Sequence, residues 1–259
     1  MSPRTILSTL RLNMNFAVLA TLIVVSPNLR ASSCAGLPTA TQLKTFLSGA
    51  ASGTGISASL GPSTLVGGLF NGQFMWAAVV NRDGELCAYT TSTSDRTQVW
   101  PGSQQIAKAK AYTANAFSND ALPLSTARLY TFAQPGHSLF GLNNSNPFNP
   151  AFLAKPDWDE GGEKEVAGGI ITFGGGVPLY NASGSIVGGL GVSGDTACTD
   201  HEIAKRVRDL ARLNPPLGPL ADDITYSSVD GASVFTHPLC LNTERNGTFI
   251  GNEKVASGY

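Results

Sequence analysis

The sequence predicts an α+β fold in which an antiparallel sheet is flanked by helices, and two hairpins and three amphipathic helices are the observations behind this prediction. The first hairpin joins the strand-like runs Phe74–Val80 and Glu85–Thr91 through an Asn-Arg-Asp-Gly turn. An Asp-Gly pair between two such apolar runs is a strong hairpin signal. The second hairpin joins Val177–Tyr180 to Ser185–Val192 through an Asn-Ala-Ser-Gly turn. Both connections are short, so each pair of strands is predicted to be antiparallel.

Three longer segments have apolar residues at the spacing of amphipathic helices. Thr39–Ala51 opens with threonines that can cap it. Ser103–Phe117 is rich in alanine, lysine and glutamine and is expected to pack on the sheet. The third helix is expected to start with a Thr-Asp cap at Asp200 and to end near Leu213, before two prolines. Leu124–Phe132 has the pattern of a shorter helix.

The N-terminus has the layout of a secretory signal peptide. Arg4 and Arg11 precede Phe16–Val25, an unbroken apolar run, and small residues follow before Cys34. The run is about half of the roughly 20 residues that a membrane-spanning helix needs. We therefore expect residues 1–33 to be a cleaved signal, the mature protein to be secreted or periplasmic, and the chain to have no membrane span.

Covalent modifications are expected in an exported chain. Cysteines occur at four positions: Cys34, Cys87, Cys198 and Cys240. An even number in an exported protein favours two disulfides, and spacing alone leaves all three connectivities open. Asn-x-Ser/Thr sequons occur at Asn143, Asn181 and Asn246. They would make this a glycoprotein only in a eukaryotic host.

Composition limits the domain organisation and the kinds of partner. Charged residues are 14% of the chain and the net charge is −1, against a typical charged share of about 25%. This lacks the basic character of a nucleic-acid binder, so we expect a small molecule or a protein as partner. We expect one domain over residues 34–213 and an irregular extension, packed on it, over residues 214–259. Within the domain, Gly49–Gly72 and Gln134–Gly162 are predicted loops, the first mobile and the second functional.

Few residue patterns indicate a specific chemistry. Each of the three histidines, His137, His201 and His237, could ligate a metal or a haem iron. None has the paired spacing of a common zinc site, so no metal site is predicted. Residues 189–194 match G-x-G-x-x-G, but they close an antiparallel hairpin, which argues against dinucleotide binding. The acidic residues of the second loop are interpreted as a solvated turn: Asp157, Asp159, Glu160 and Glu163.

Three motifs in order resemble the GlcG/HbpS family. They are K-A-Y-T-A at Lys110–Ala114, F-G-G-G-V-P-L at Phe173–Leu179, and I-V-G-G-L-G-V-S-G at Ile186–Gly194, ahead of an Asp-His helix start. The family pattern is K-A-x-T-A, then G-G-x-P, then G-x-x-G-V-S-G. The resemblance covers about residues 39–213. It implies a sheet of about five strands in a three-layer arrangement similar to profilin and PAS domains, assembly into homo-oligomers, and haem binding or degradation.

The resemblance also implies a site. Haem would lie in a cleft between the Ser103–Phe117 helix and the glycine-rich hairpin. The residues expected to bind it are Lys110, Thr113, Gly175, Gly176, Ser193 and His201. We expect the disulfides Cys198–Cys240 and Cys34–Cys87, a pairing that the resemblance does not determine, because the C-terminal extension with Cys240 lies outside the family pattern.

Three functions are compatible with these observations. The leading hypothesis is an exported haem-binding or haem-handling protein. The first alternative is a secreted enzyme of the isomerase, cyclase or lyase type, in which Lys110 or His201 acts as the acid or base on a small organic metabolite in the same cleft. The second alternative is a non-catalytic oligomeric sensor or interaction protein.

Overall fold

The computed structural model describes residues 33–148, 166 and 168–254. The predicted signal segment, the acidic residues of the second loop and the last five residues lie outside the described residues. The described helices are α1 Ala40–Ser52, α2 Ser103–Ala116, α3 Leu142–Ser145, α4 Ala197–Leu210 and α5 Ser227–Asp230. The described strands are β1 Trp76–Asn81, β2 Leu86–Thr91, β3 Gly176–Tyr180, β4 Ile186–Ser193, β5 Thr225–Tyr226, β6 Thr236–His237, β7 Thr243–Arg245 and β8 Thr248–Gly251.

The main sheet has the order β2-β1-β4-β3, and every neighbouring pair is antiparallel. Both predicted hairpins are therefore confirmed, as is the α+β class. The expected number of about five strands is too high for the described residues, because this sheet has four. The remaining strands are short and pair among themselves, β5 with β6 and β7 with β8, instead of extending the sheet.

The three layers follow from the alternation of side chains along each strand. In β1, Ala77 and Val79 pack with the apolar residues of α1 and α4 on one face of the sheet. Trp76, Ala78 and Val80 point to the other face, where they pack with α2. The sheet thus lies between α2 on one side and the α1–α4 pair on the other.

Helix starts agree with the sequence at α1 and differ at α4. Thr39 caps α1 in a capping box with Gln42. Helix α4 begins earlier than expected, with Thr196 as its cap. The expectation that Asp200 caps the helix was wrong, because Asp200 lies in the first turn and its carboxylate accepts from backbone N–H groups before the helix. The predicted helix at Leu124–Phe132 is instead a pair of 3₁₀ turns.

Both disulfides join elements that are distant in sequence. Cys34–Cys87 ties the segment before α1 to β2, and Cys198–Cys240 ties the first turn of α4 to the C-terminal extension. The expected pairing is therefore confirmed. Among the helices that the structure describes, none combines the length and the apolar character needed to cross a membrane.

The end of the predicted Gly49–Gly72 loop is anchored to the start of α4. The carboxylate of Asp195 accepts hydrogen bonds from the backbone N–H groups of Leu69 at 2.6 Å and Phe70 at 2.8 Å. Val66, in the same segment, is completely buried in the core. The loop is therefore held against the domain at this end.

The C-terminal extension covers the charged face of α4. Arg208 donates to both carboxylate oxygens of Asp222, at 2.9 and 2.6 Å. Lys205 is equally buried and pairs with Asp223 and with Glu202. The Asn246 amide donates to Asp223, so this sequon asparagine is part of the same network. Lys205 and Arg208 on α4 are thus neutralised by carboxylates of the extension, together with Glu202 on the helix itself.

Candidate functional site

The glycine-rich segment before β3 is held by two threonines. Thr113 on α2 accepts a hydrogen bond from Ile171 N at 3.0 Å while donating to its own helix. Thr126, in the 3₁₀ turn, donates to Phe173 O at 2.6 Å and accepts from Gly176 N at 2.9 Å. These contacts fix the backbone on both sides of the Phe173 ring.

Lys110 and Asp200 form a buried ion pair behind the same ring. The Lys110 ammonium donates to Asp200 Oδ2 at 2.6 Å and to Val192 O at 3.0 Å. It lies 4.9 Å from the centre of the Phe173 ring, within range of a cation–π contact. The other carboxylate oxygen of Asp200 accepts from the N–H groups of Gly194 and Asp195. The pair therefore joins α2, β4 and α4.

Burial changes the protonation energetics of this pair. It lowers the pKa of Lys110 despite the adjacent carboxylate. It raises the pKa of Asp200 to about 6 despite the adjacent ammonium. Removing charged groups from water disfavours their charged forms, which is the cause of both shifts. The short Lys110–Asp200 contact supports the ionised pair as the state at neutral pH.

The expected cleft between α2 and the glycine-rich hairpin is closed. A β-carbon placed on Gly176, Gly189 or Gly191 would overlap backbone oxygens of α2. Helix and strands therefore touch backbone to backbone, which leaves no room for a porphyrin. The residues expected to line this cleft are all buried in the contact or beside it: Lys110, Thr113, Gly175, Gly176 and Ser193.

His201 is also completely buried, one turn into α4. Among the described residues, neither ring nitrogen has a hydrogen-bond partner, and Asp223 Oδ1 lies 3.7 Å from Nε2. That distance is too long for a hydrogen bond. Burial lowers the pKa of His201, so the ring is neutral at physiological pH. The structure brings His201 into the same region as Lys110 but gives it no exposed surface.

A cavity of about 480 Å³ opens on the other side of the Phe173 ring. Its walls come from three places: the glycine-rich segment, the first turn of α4, and the extension from residue 237 to 241. Its lining is mostly apolar, comprising Leu69, Phe173, Ala197, Pro238, Leu239, Cys240 and Leu241, with Tyr130, Thr196, His237 and Glu253 as polar members. The volume lies within the range of about 300–1,000 Å³ that is usual for small-molecule sites.

His237, which lines this cavity, has a defined tautomer. Its Nδ1 lies 2.7 Å from Pro238 O. Because a carbonyl can only accept, Nδ1 carries the proton and Nε2 carries the lone pair. The Nε2 atom accepts only a long hydrogen bond, 3.4 Å, from Gly174 N. Burial lowers the pKa of His237 to about 4, so the ring is a neutral ligand at physiological pH.

Part of this site could be predicted from the sequence. His237 was one of three candidate ligands, and the F-G-G-G motif contains Phe173. Nothing in the sequence marked Tyr130, whose ring lies 4.9 Å from the His237 ring. The extension segment that forms one wall was expected to be irregular, and its role could be anticipated only from Cys240, which tethers it.

The fold and this site define a class of protein. It is an α+β domain in which glycines of the sheet contact a helix directly, with a ligand-sized cavity beside a C-terminal extension that a disulfide joins to the domain. The chain belongs to the family described as "Haem degrading protein HbpS-like", whose sequence profile matches residues 69–209. The family resemblance seen in the motifs is thereby confirmed. The cavity's histidine and disulfide partner, His237 and Cys240, lie beyond the matched range.

Similar proteins include two curated relatives. The corrinoid adenosyltransferases PduO of Salmonella typhimurium and Citrobacter freundii are each 32% identical over 103 residues, which is 40% of this chain and 23% of theirs. The chain thus spans about a quarter of the length of these relatives. Among solved structures, a PduOC:heme complex is 22% identical with a TM-score of 0.44, covering 68% of this chain and 93% of its own. Klebsiella pneumoniae protein ORFY is 19% identical with a TM-score of 0.47, covering 74% and 99%.

Proposed function

We propose that this chain is a haem-binding protein that holds the porphyrin in the cavity beside Phe173, with His237 as the axial ligand of the iron. The observation that carries the proposal is the state of His237 Nε2. It is a neutral imidazole nitrogen, its tautomer is fixed by Pro238, and its single hydrogen bond is long. Haem proteins hold iron through a histidine of this kind.

The walls of the cavity suit a flat apolar ligand. Phe173 and Tyr130 offer aromatic surface, and Leu239 and Leu241 offer aliphatic surface. Leu69, at the opening, is 51% exposed and Leu241 is 44% exposed. Leucines exposed to this extent beside a cavity are available to cover a porphyrin face, and their burial would contribute about 25 cal/mol for each Å² removed from water.

The residues expected from the family pattern take a supporting role in this proposal. Lys110 contacts Phe173 from behind, and Thr113 fixes the segment that leads to it. Gly175 and Gly176 allow the backbone to approach α2, and Ser193 ends β4 near the Asp200 carboxylate. These are positioning residues. Lys110 and His201 have no exposed surface, so the observations favour ligand binding over acid/base catalysis.

The proposal includes an extracytoplasmic location, a 34–213 domain and self-association. Two disulfides support the location, because such bonds persist in oxidising compartments. The extension over residues 214–254 is joined to the domain by Cys198–Cys240 and by the Arg208–Asp222 pair. Exposed Leu65 and Phe249 line a second cavity, which shares Leu69 with the first, and offer apolar surface for a second copy.

The proposal is tested by titrating hemin into the oxidised mature chain. We expect a shifted Soret band at micromolar hemin and an electron paramagnetic resonance signal typical of axial histidine. His237→Ala should abolish that signal, whereas the matched variant His137→Ala, at an exposed histidine, should leave it unchanged.

The outcomes separate the function from the site. No Soret shift in the wild-type chain would remove the haem proposal. A Soret shift that is unchanged in His237→Ala, but lost in Lys110→Ala, Thr113→Ala or His201→Ala, would mean that haem binds at the residues of the family motifs instead. Sequencing the N-terminus of the exported protein tests the predicted cleavage near residue 33.

A further inference from the structure

The second disulfide lies directly against the candidate haem ligand. Ligand atoms of Cys198, His237 and Cys240 all lie within 4.8 Å of one another, and all three side chains are buried. Cys240 and His237 also line the cavity, so the cluster is reached from solvent. In the oxidised protein the two sulfurs are bonded to each other and hold no metal.

We propose that reduction of Cys198–Cys240 converts this cluster into a Cys₂His site for a soft or borderline divalent cation of the Zn²⁺ class. Two thiolates and one neutral imidazole are the donors that such ions prefer. In a tetrahedral zinc site the sulfurs lie roughly 3.8 Å apart, as follows from Zn–S bonds of about 2.3 Å. The sulfurs therefore need to separate by less than the width of one atom.

The reductive step is balanced with a dithiol as the reductant. One thiolate of the dithiol attacks the sulfur of Cys240, a residue of the cavity lining, and Cys198 leaves as a thiolate. The second thiol of the reductant then resolves the mixed disulfide, releasing Cys240 and oxidising the reductant to its own disulfide. The cation binds both cysteines as thiolates and displaces their two protons.

The surroundings favour thiolates at this position. Cys198 lies in the first turn of α4, a helix of 14 residues, and its backbone N–H points at Cys240 Sγ at 3.2 Å. The positive end of a helix lowers the pKa of a thiol. The tautomer suits a metal ligand, because Pro238 O fixes the proton on Nδ1, and Nε2 would exchange its 3.4 Å hydrogen bond from Gly174 N for the cation. A carbonyl in this position is the usual second partner of a metal-bound histidine.

The fourth coordination position would face the cavity. Two of the three protein ligands, His237 and Cys240, line the cavity that Phe173 also lines. The site would therefore hold its cation with water or a small anionic ligand in the fourth position, as open zinc sites do. His237 would serve iron in the oxidised chain and the soft cation in the reduced chain, so the two ligands exclude each other.

The test uses Co²⁺ as a spectroscopic probe of the mature chain, reduced with a dithiol and freed of reductant under anaerobic conditions. We expect one Co²⁺ per chain, with thiolate-to-cobalt charge-transfer bands and the intense visible bands of tetrahedral cobalt, both displaced by Zn²⁺. The oxidised chain should show neither. His237→Ala should weaken cobalt binding at least tenfold, and Cys198→Ser with Cys240→Ser should abolish the bands.

The first disulfide provides the matched control. The double variant Cys34→Ser, Cys87→Ser keeps only the proposed cysteines and should retain the full cobalt spectrum after reduction. Bands that persist in the Cys198→Ser, Cys240→Ser chain, or that are absent from the reduced control, would overturn the proposal. If reduction unfolds the chain, Zn²⁺ should restore its far-ultraviolet circular dichroism, and failure to do so would overturn it equally. Hemin binding by the oxidised chain is independent of these results.

Discussion

Helices α2 and α4 pack on opposite faces of one sheet, and both carry fully buried charged residues, but the two helices are accommodated differently. Glycines of β3 and β4 let α2 approach until the backbones touch, and its buried Lys110 meets a single carboxylate, Asp200. The outward face of α4 is instead covered by the C-terminal extension, whose Asp222 and Asp223 neutralise it. The α2 interface thus depends on the absence of side chains, and the α4 interface depends on complementary charges.

The largest effects are expected where a buried charge loses its partner. Lys110→Met leaves Asp200 unpaired at the α2 interface, and Asp222→Leu leaves Arg208 unpaired under the extension. Each should lower the free energy of unfolding by about 3–5 kcal/mol, the usual cost of an uncompensated buried charge. Urea unfolding measures the stability of both variants. The control is Lys44→Met, at an exposed position on α1, which should change stability by less than about 0.5 kcal/mol. A small loss of stability in either of these two variants would mean that water reaches and solvates the unpaired charge at that interface.

The glycine interface should respond to a single methyl group. Gly191→Ala places a β-carbon against Ala107 O, in the closest part of the contact with α2. We expect a loss of about 3 kcal/mol, because an overpacked core must shift its backbone. Gly102→Ala is the matched control, since a β-carbon there meets no atom within 4 Å. Equal stability of the two variants would contradict the direct backbone contact.

The extension should make stability dependent on pH through His237. Its pKa is lowered to about 4 in the folded chain, against about 6.5 for an ordinary histidine. The unfolded chain therefore binds the proton more readily, and stability that is present above pH 6.5 is lost as the pH falls towards 4. The loss should be on the order of 3 kcal/mol. His237→Gln should reduce the slope of the unfolding profile between these pH values, leaving the contribution of buried His201, whose pKa is also lowered. His137→Gln should leave the slope unchanged, and identical profiles for the two variants would refute the assignment.

The smallest effect is expected at Tyr226, in strand β5 of the extension. Its hydroxyl is buried and has no hydrogen-bond partner among the described residues. Tyr226→Phe removes a polar group that is not satisfied by the protein, so the change should be neutral or stabilising by up to about 1 kcal/mol. A urea midpoint that falls would show that the hydroxyl is bonded to water or to a neighbour.

The α2 side of the molecule was largely predictable and the α4 side was not. The hairpins and α2 follow from local turn residues and apolar periodicity, and the motif glycines marked a close contact. That contact was misinterpreted as a cleft, because sequence shows where backbones can approach and not whether a gap remains. The charged face of α4 has the pattern of a solvated surface. Its burial depends on pairing with Asp222 and Asp223 in an extension without strong periodicity.

The candidate site shows the same limit. His237 could be named as a possible ligand from residue type alone. Its tautomer depends on the local contact with Pro238 O, and its position beside Phe173 depends on a contact between segments more than 60 residues apart. His201 has the same residue type and lies closer to the motifs, yet it is completely enclosed. Only the packing distinguishes the two.

The Asp195 carboxylate has a consequence for the kinetics of the fold. It binds the N–H groups of Leu69 and Phe70, 126 and 125 residues earlier in the chain. Bringing such distant segments together costs loop entropy until β1 pairs with β4, which places Trp76 opposite Ser193. The contact is therefore expected to form after the folding transition state, and contacts of that kind slow unfolding without accelerating folding. In this chain, one carboxylate would set how long the folded domain persists.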